Sequence, residues 1–250
     1  MNELPILLTS SVEAMDSSGR LNDPELRIKY TLESINQWSR ITPNGRFILC
    51  DGSDFNFSKI IKEKFPSLKI ECMHFLNNHE MIQKHGKGYG EGEIIQYAIK
   101  KSRTLSYADS FIKCTGKLWV PNYYECVSQW QGKFLARAYF SNVFSTRRTK
   151  IAYLDTRFYI TNKNYFLEHF GRAHLNLGGE HGLSIEDEYL EVLLKRNEKN
   201  FLFYKPPIIC GVGGGSGKYY KTNLIRIMKE RLRNWVVKNT YAYRDLFISS

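Results

Sequence analysis

The feature that most restricts the fold is a rhythm in the first 117 residues. Short apolar runs are each followed by a polar cluster and then by a segment of helical character. Residues 6–11 read ILLTSS and 46–50 read RFILC, and 68–75 and 110–114 are built the same way. A run that is apolar throughout, rather than at alternate positions, suits a strand covered on both faces, as in parallel sheets. Between the first two runs, Asp23-Pro24-Glu25 reads as a helix cap with proline in the first turn. Leu26, Tyr30, Ile35 and Trp38 then recur at roughly helical spacing, until Pro43-Asn44-Gly45 closes the unit. A short helix over 58–65 stops at Pro66. The alternation predicts an α/β fold with a mostly parallel sheet flanked by helices.

Ligands of open α/β sheets gather beyond the carboxyl ends of the strands. The polar clusters fall there. Thr9, Ser10 and Ser11 follow the first run, and Asp51, Gly52, Ser53 and Asp54 the second. A glycine-rich loop over 86–92, with Lys87, Gly88, Tyr89 and Gly90, opens a helix expected over 93–104. Lys113, Thr115, Gly116 and Lys117 close the fourth run. Each cluster by itself is ordinary turn chemistry. Their common position at strand ends favours a ligand site.

Asp51-Gly52-Ser53 after the second strand, with a glycine loop opening the helix after the third, resembles the nucleotide-sugar half of GT-A-type glycosyltransferases. The likeness is to bacterial enzymes that build capsule or lipopolysaccharide glycans, and it covers roughly residues 5–195. It implies a single Rossmann-like GT-A domain over 1–210, with 211–250 as a glycine-rich flap and basic helix. It also implies a UDP- or GDP-sugar donor and a glycan or lipid-linked glycan acceptor. Asp51 would meet the base or ribose, and the loop before the following helix would border the nucleotide. Most enzymes of this kind hold a divalent metal on an Asp-x-Asp. Here residues 111–117 read FIKCTGK. Fixed cations do the same electrostatic work as a metal on a departing diphosphate. The expectation is therefore a site without Mg or Mn, with Lys113 or Lys117 facing the donor. Asp155 of Asp155-Thr156-Arg157 is the alternative metal ligand, disfavoured by the neighbouring arginine.

Residues 211–218 read GVGGGSGK, which is similar to a P-loop but fails its spacing, and Tyr219 follows the lysine. The reading is a flap in which Ser216, Lys218, Tyr219, Tyr220 and Lys221 close over the diphosphate, as a C-terminal loop does in GT-A enzymes; the plain alternative is a linker. Inverting transfer needs a carboxylate base. Glu186 and Asp187 open a predicted helix over 185–195, with the preference on Asp187, although acids in a first helical turn are also ordinary caps. No histidine pair has metal-ligand spacing, and His181 is the one histidine near the acids.

Composition sets the remaining limits. The five cysteines are scattered without a CxxC pair, which disfavours a disulfide framework and fits a reducing compartment. The N-terminus lacks the basic region of a secretory signal, and no run is long enough to span a bilayer. The net charge of +11 calls for an anionic partner. Between Lys218 and Arg244 stand eight basic residues and one acid, interleaved with Leu224, Ile225, Met228, Leu232 and Trp235. This basic amphipathic helix reads as an anchor for an anionic membrane surface, or as a helix that packs its apolar face on the domain with its charges solvated; with the resemblance above, the anchor implies the cytoplasmic face of the inner membrane. Two other readings are a nucleic-acid-binding protein, for which no recognition motif is present, and a non-catalytic assembly protein of the same fold.

Overall fold

The computed structural model describes residues 3–14, 21–145, 148–178, 183–214, 217–221, 223–240 and 242–248. Its strands are β1 (Ile6–Ser10), β2 (Arg46–Asp51), β3 (Lys69–His74), β4 (Ser110–Thr115), β5 (Leu118–Trp119), β6 (Phe134–Ser141), β7 (Lys150–Asn162), β8 (Cys210–Val212) and β9 (Tyr219–Tyr220). The helices are α1 (Pro24–Ile41), α2 (Ser58–Lys64), α3 (His79–His85), α4 (Lys87–Lys101), α5 (Arg103–Ser106), α6 (Tyr123–Val127), α7 (Lys163–His169), α8 (Ile185–Lys195) and α9 (Leu224–Lys238).

The main sheet has the order β3-β2-β1-β4-β7-β6, and a small second sheet has the order β5-β8-β9. β1 to β4 run parallel, whereas β7 joins β4 antiparallel and β6 joins β7 antiparallel. This is the α/β class that the apolar runs predict. Alternation along each buried strand feeds two cores. Leu7, Ile48 and Phe111 pack under α4, α7 and α8, while Ile6, Leu8, Phe47 and Ile112 pack under α1 and α2. Both faces of β1, β2 and β4 are covered, which favours their apolar runs, while the edge strand β3 stays partly exposed.

Parallel register brings the strand ends to one rim. Ser10 stands opposite Asp51, Asp51 opposite His74, and Thr9 opposite Thr115.

Three local expectations need correction. The buried face of α1 is Arg27, Thr31, Ser34, Ile35 and Trp38, while Leu26 is exposed. Polar groups occupy that face because each finds a backbone partner. Arg27 donates to the Ser11 and Leu21 carbonyls at 2.6 and 2.7 Å, and Ser34 and Trp38 both donate to the Leu118 carbonyl. The glycine-rich stretch after β3 is not a loop. Only Gly86 lies outside a helix, and Lys87 to Gly92 form the first turns of α4. There the glycines allow close packing: a Cβ on Gly92 would overlap the Cβ and Cγ of His174. The second glycine stretch starts inside a strand, since Gly211 pairs with Leu118 and with Tyr220.

Candidate active site

A cleft of about 600 Å³ opens at the carboxyl rim of the parallel strands. That size lies within the range of about 300–1,000 Å³ typical of small-molecule sites. One wall is the end of β1, with Thr9, Ser10 and Ser11; another is the start of α4, with Lys87, Gly88 and Gly90. Thr115 and Lys117 line it from the end of β4, Ser184 and Glu186 from the start of α8, and Gly213 and Gly214 from the turn after β8.

Lys117 is 3% exposed. Its ammonium makes no hydrogen bond or ion pair with another described residue. The backbone of the glycine turn lies directly on it, because a Cβ on Gly214 would stand 3.3 Å from Lys117 Cε and 3.6 Å from Nζ. Burial pushes its pKa down from 10.5 to about 7; the nearby Arg27 charge lowers it further, while Asp51 and Glu91 oppose both effects. Arg27 also lines the cleft, and burial lowers its pKa against the pull of Asp51. The rim thus holds two desolvated cations, the usual signature of a site prepared for an anion.

Lys113 is positioned differently. It lies inside the sheet, paired with Glu91 and donating to the Thr156 carbonyl at 2.8 Å. Of the two lysines in the sequence motif, only Lys117 lines the cleft.

Asp51 is fully buried behind the cleft. Its Oδ1 accepts from the Ser53 amide at 2.8 Å, the Ser53 hydroxyl at 2.6 Å and the Phe55 amide at 3.3 Å. Ser53 Oγ in turn accepts from the Val12 and Glu13 amides, so this motif sets the loop after β1. Three buried atoms near one another have no hydrogen-bond partner among the described residues: Ser10 Oγ, Asp51 Oδ2 and Asn77 Oδ1. Unpartnered buried polar atoms are costly, and here they border a cleft where a polar ligand can satisfy them. Gly52 contributes a close approach, its amide donating to the Ser10 carbonyl and its α-carbon facing Asn77.

On the opposite wall, the two candidate acids have separate tasks. Asp187 completes a capping box with Ser184, accepting from the Ser184 amide at 3.0 Å and hydroxyl at 2.7 Å. Glu186 faces the cleft and accepts from Thr156 Oγ1 at 3.0 Å. Tyr89 is buried between His85 and His174. Gly116 packs on the Thr9 carbonyl. Tyr219 donates to Glu33 on α1 at 2.7 Å, and neither it nor Lys218 lines the cleft. Ser216 and His181 lie outside the described residues.

Sequence reasoning passed over Arg27, Asn77, Glu91 and Arg157. Arg27 carried a usable signal, being a charged residue one turn beyond a helix cap and in phase with Trp38.

Among the described residues no three His, Cys, Asp or Glu side chains lie together. Both oxygens of Asp155 are taken by Arg157 at 2.7 Å, and Glu91 is paired with Lys113. Burial works against the Arg157 charge, but the two-point bond and charge of Asp155 together raise its pKa above the ordinary value.

The sheet order and the loops gathered at its rim define a Rossmann-like α/β domain. No family model matches the sequence, and no curated protein matches it either. Among solved structures, the inositol-1-phosphate CTP transferase from T. maritima is similar over 96% of this chain and 98% of that one, at 13% identity and a TM-score of 0.51. The nucleoside-diphosphate-sugar pyrophosphorylase from Vibrio cholerae RC9 is similar over 77% and 88%, at 15% identity and a TM-score of 0.45. HddC from Yersinia pseudotuberculosis is similar over 75% and 85%, at 13% identity and a TM-score of 0.39. At such identities the likeness is one of fold, and the first of the three carries it.

Proposed function

We propose that the chain is a metal-independent glycosyltransferase that takes a sugar from a nucleotide-sugar donor and passes it to a hydroxyl of a glycan or lipid-linked glycan. One observation carries this reading. A single cleft holds a buried ammonium, Lys117, under a glycine turn, and faces it with the Glu186 carboxylate at a helix start.

In this reading the nucleoside sits against Ser10, Asn77 and the Asp51 carboxylate, whose unpartnered atoms it satisfies. The diphosphate lies on Lys117 and Arg27. Transfer breaks the bond from the sugar's anomeric carbon to the diphosphate oxygen and forms one to the acceptor oxygen. The acceptor proton passes to Glu186. The departing diphosphate gains negative charge, and the two cations are already in place to oppose it, so no reorganisation is needed in the transition state. Attack by a single acceptor oxygen on the face opposite the leaving group inverts the anomeric centre. Glu186 takes this role rather than Asp187 because the Asp187 carboxylate is committed to Ser184.

The T. maritima CTP transferase, similar over almost its whole length, favours a second reading in which a nucleotidyl group moves from a nucleoside triphosphate to a sugar phosphate. The products separate the two. A glycosyltransferase releases nucleoside diphosphate from a nucleotide sugar, with EDTA present. A nucleotidyltransferase releases pyrophosphate from a triphosphate and gives no diphosphate.

The membrane part of the proposal rests on α9. Asn234 and Val237 on its inner face are buried. On the opposite face Ile225, Met228, Leu232 and Trp235 are 65, 69, 52 and 56% exposed, at helical spacing. Lys229, Arg231 and Arg233 flank this stripe, and its occupant is an anionic lipid surface. No helix among the described residues is long and apolar enough to cross a membrane.

A further inference from the structure

A second, smaller cavity of about 40 Å³ lies between the β6–β7 pair and the inner face of α9. Arg137, Arg157, Lys221 and Arg231 line it against a single acid, Glu230. Glu230 is already shared between Arg137 at 2.5 Å and Arg233 at 3.5 Å. Arg231 divides Glu125 with Lys205, and Lys221 makes no ion pair with any described residue. Arg137, Arg157 and Arg231 thus have carboxylate partners in Glu230, Asp155 and Glu125, which leaves Lys221 as the lining cation without an ion pair among the described residues. Their remaining N–H donors face a partly desolvated space, where a charged hydrogen bond to an anion is strong.

Its walls are aromatic as well as cationic. The Arg137 guanidinium lies 4.1 Å from the Tyr139 ring centre, and Tyr139 stacks on Tyr153 at 4.6 Å. Arg157 is held by Asp155, donates to the Tyr139 hydroxyl at 3.1 Å and lies 5.1 Å from the Tyr220 ring centre. Arg157 and Tyr220 line the large cleft too, so they are the wall common to both spaces.

We propose that this second cavity binds a phosphate ester carried by the acceptor, while the acceptor sugar extends past Arg157 and Tyr220 toward Glu186. The inference rests on the glycosyltransferase reading and names the substrate class for that site. The size decides against a sugar ring and for one compact group, since a single water already takes up about 10–15 Å³ by the same measure. Three guanidinium groups and one ammonium supply the clustered N–H donors that a phosphate accepts from. The position suits an acceptor rather than the donor, whose diphosphate belongs with Lys117 on the β4–β5 side.

The test is calorimetric titration of the whole chain with glucose 1-phosphate, geranyl phosphate and glucose, with the large cleft first filled by saturating UDP or GDP. A Lys117→Met background, in which phosphate cannot bind at the ammonium, serves as a second way of isolating the small cavity. Both phosphates, or geranyl phosphate alone, should bind, and glucose should not. Lys221→Ala with Arg231→Ala, both exposed positions, should weaken that binding about tenfold or more while changing nucleotide affinity less than about twofold. Preference for geranyl phosphate identifies a lipid-linked acceptor; equal binding identifies the phosphate itself as the recognised group, and both support the proposal. Glucose binding as tightly as the phosphates, or a double variant binding as wild type, overturns it. If neither nucleotide binds but the phosphate does so through Lys221 and Arg231, the transferase reading fails and the anion site stands.

Discussion

Lys117→Met should make the unliganded protein more stable and the nucleotide complex weaker, a reversal that a structural lysine would not show. The magnitude follows from the depressed pKa. Lowering the lysine from 10.5 to about 7 means that the folded state bears a cost for its charge of up to about 5 kcal/mol, at about 1.4 kcal/mol per decade. Below pH 7 both the folded and unfolded chains hold the proton, and the cost is present in full. Between about 7 and 10.5 the folded chain releases the proton while the unfolded chain keeps it, so wild-type stability rises with pH. By pH 9 the remaining cost is about 2 kcal/mol. Methionine fills a similar space without charge, so its advantage should be largest near pH 6.5 and shrink toward pH 9. Thermal unfolding at both pH values reads this directly. We expect a gain of about 2 kcal/mol or more at pH 6.5, roughly 4–8 °C. UDP or GDP should raise the wild-type melting temperature, and that rise should be lost in the variant, because a charged hydrogen bond to a desolvated phosphate contributes about 2–5 kcal/mol. A variant that is less stable at pH 6.5 and binds nucleotide normally would refute the argument.

Glu186→Gln should lower kcat by about a hundredfold or more with little change in melting temperature, whereas Asp187→Asn should keep most of the turnover and lose about 1 kcal/mol of stability through the broken capping box; steady-state kinetics beside chemical denaturation separates them. Gly92→Ala should cost about 3 kcal/mol in urea titration, since the new methyl group meets the rigid Cβ of His174 rather than a mobile side-chain end. Leu232→Asp with Trp235→Glu should abolish co-sedimentation with phosphatidylglycerol vesicles while leaving the unfolding midpoint within about 0.5 kcal/mol, because both side chains are exposed.

The parallel half of the sheet was legible because burial on both faces favours apolar runs such as Ile6–Leu8 and Phe47–Cys50, whereas the partly exposed edge strand β3 alternates Lys69 and Glu71 with Ile70 and Cys72. The phase of α1 was misread for the opposite reason. Its inner face contains Arg27, Thr31 and Ser34, whose polar atoms are satisfied by hydrogen bonds, several to backbone carbonyls distant in sequence, and hydropathy does not register a satisfied polar group. The glycines of α4 misled likewise. In a sequence they read as loop residues, but in the fold they answer to a neighbour, His174, that stands 82 positions away from Gly92.

The candidate site shows the same division between what a short motif specifies and what only packing decides. Lys113 and Lys117 belong to one strand end and look equivalent in sequence, yet they carry opposite electrostatic meanings. Lys113 points into the sheet, where Glu91 neutralises it, so its charge is spent on holding α4 to β4. Lys117 lies past the turn at Gly116, where the chain has left the sheet, and the cover it receives is the backbone of Gly213 and Gly214. A glycine turn brings amide groups and no carboxylate. That choice leaves the ammonium without an ion pair among the described residues and its pKa low; in the transferase reading, an arriving diphosphate would restore the proton. The same logic separates Glu186 from Asp187. Adjacent residues at a helix start differ by a rotation of about 100°, which turns one carboxylate back to its own cap and the other toward the cleft. Chemistry here is assigned by direction, and direction is set by the partner that each side chain already has.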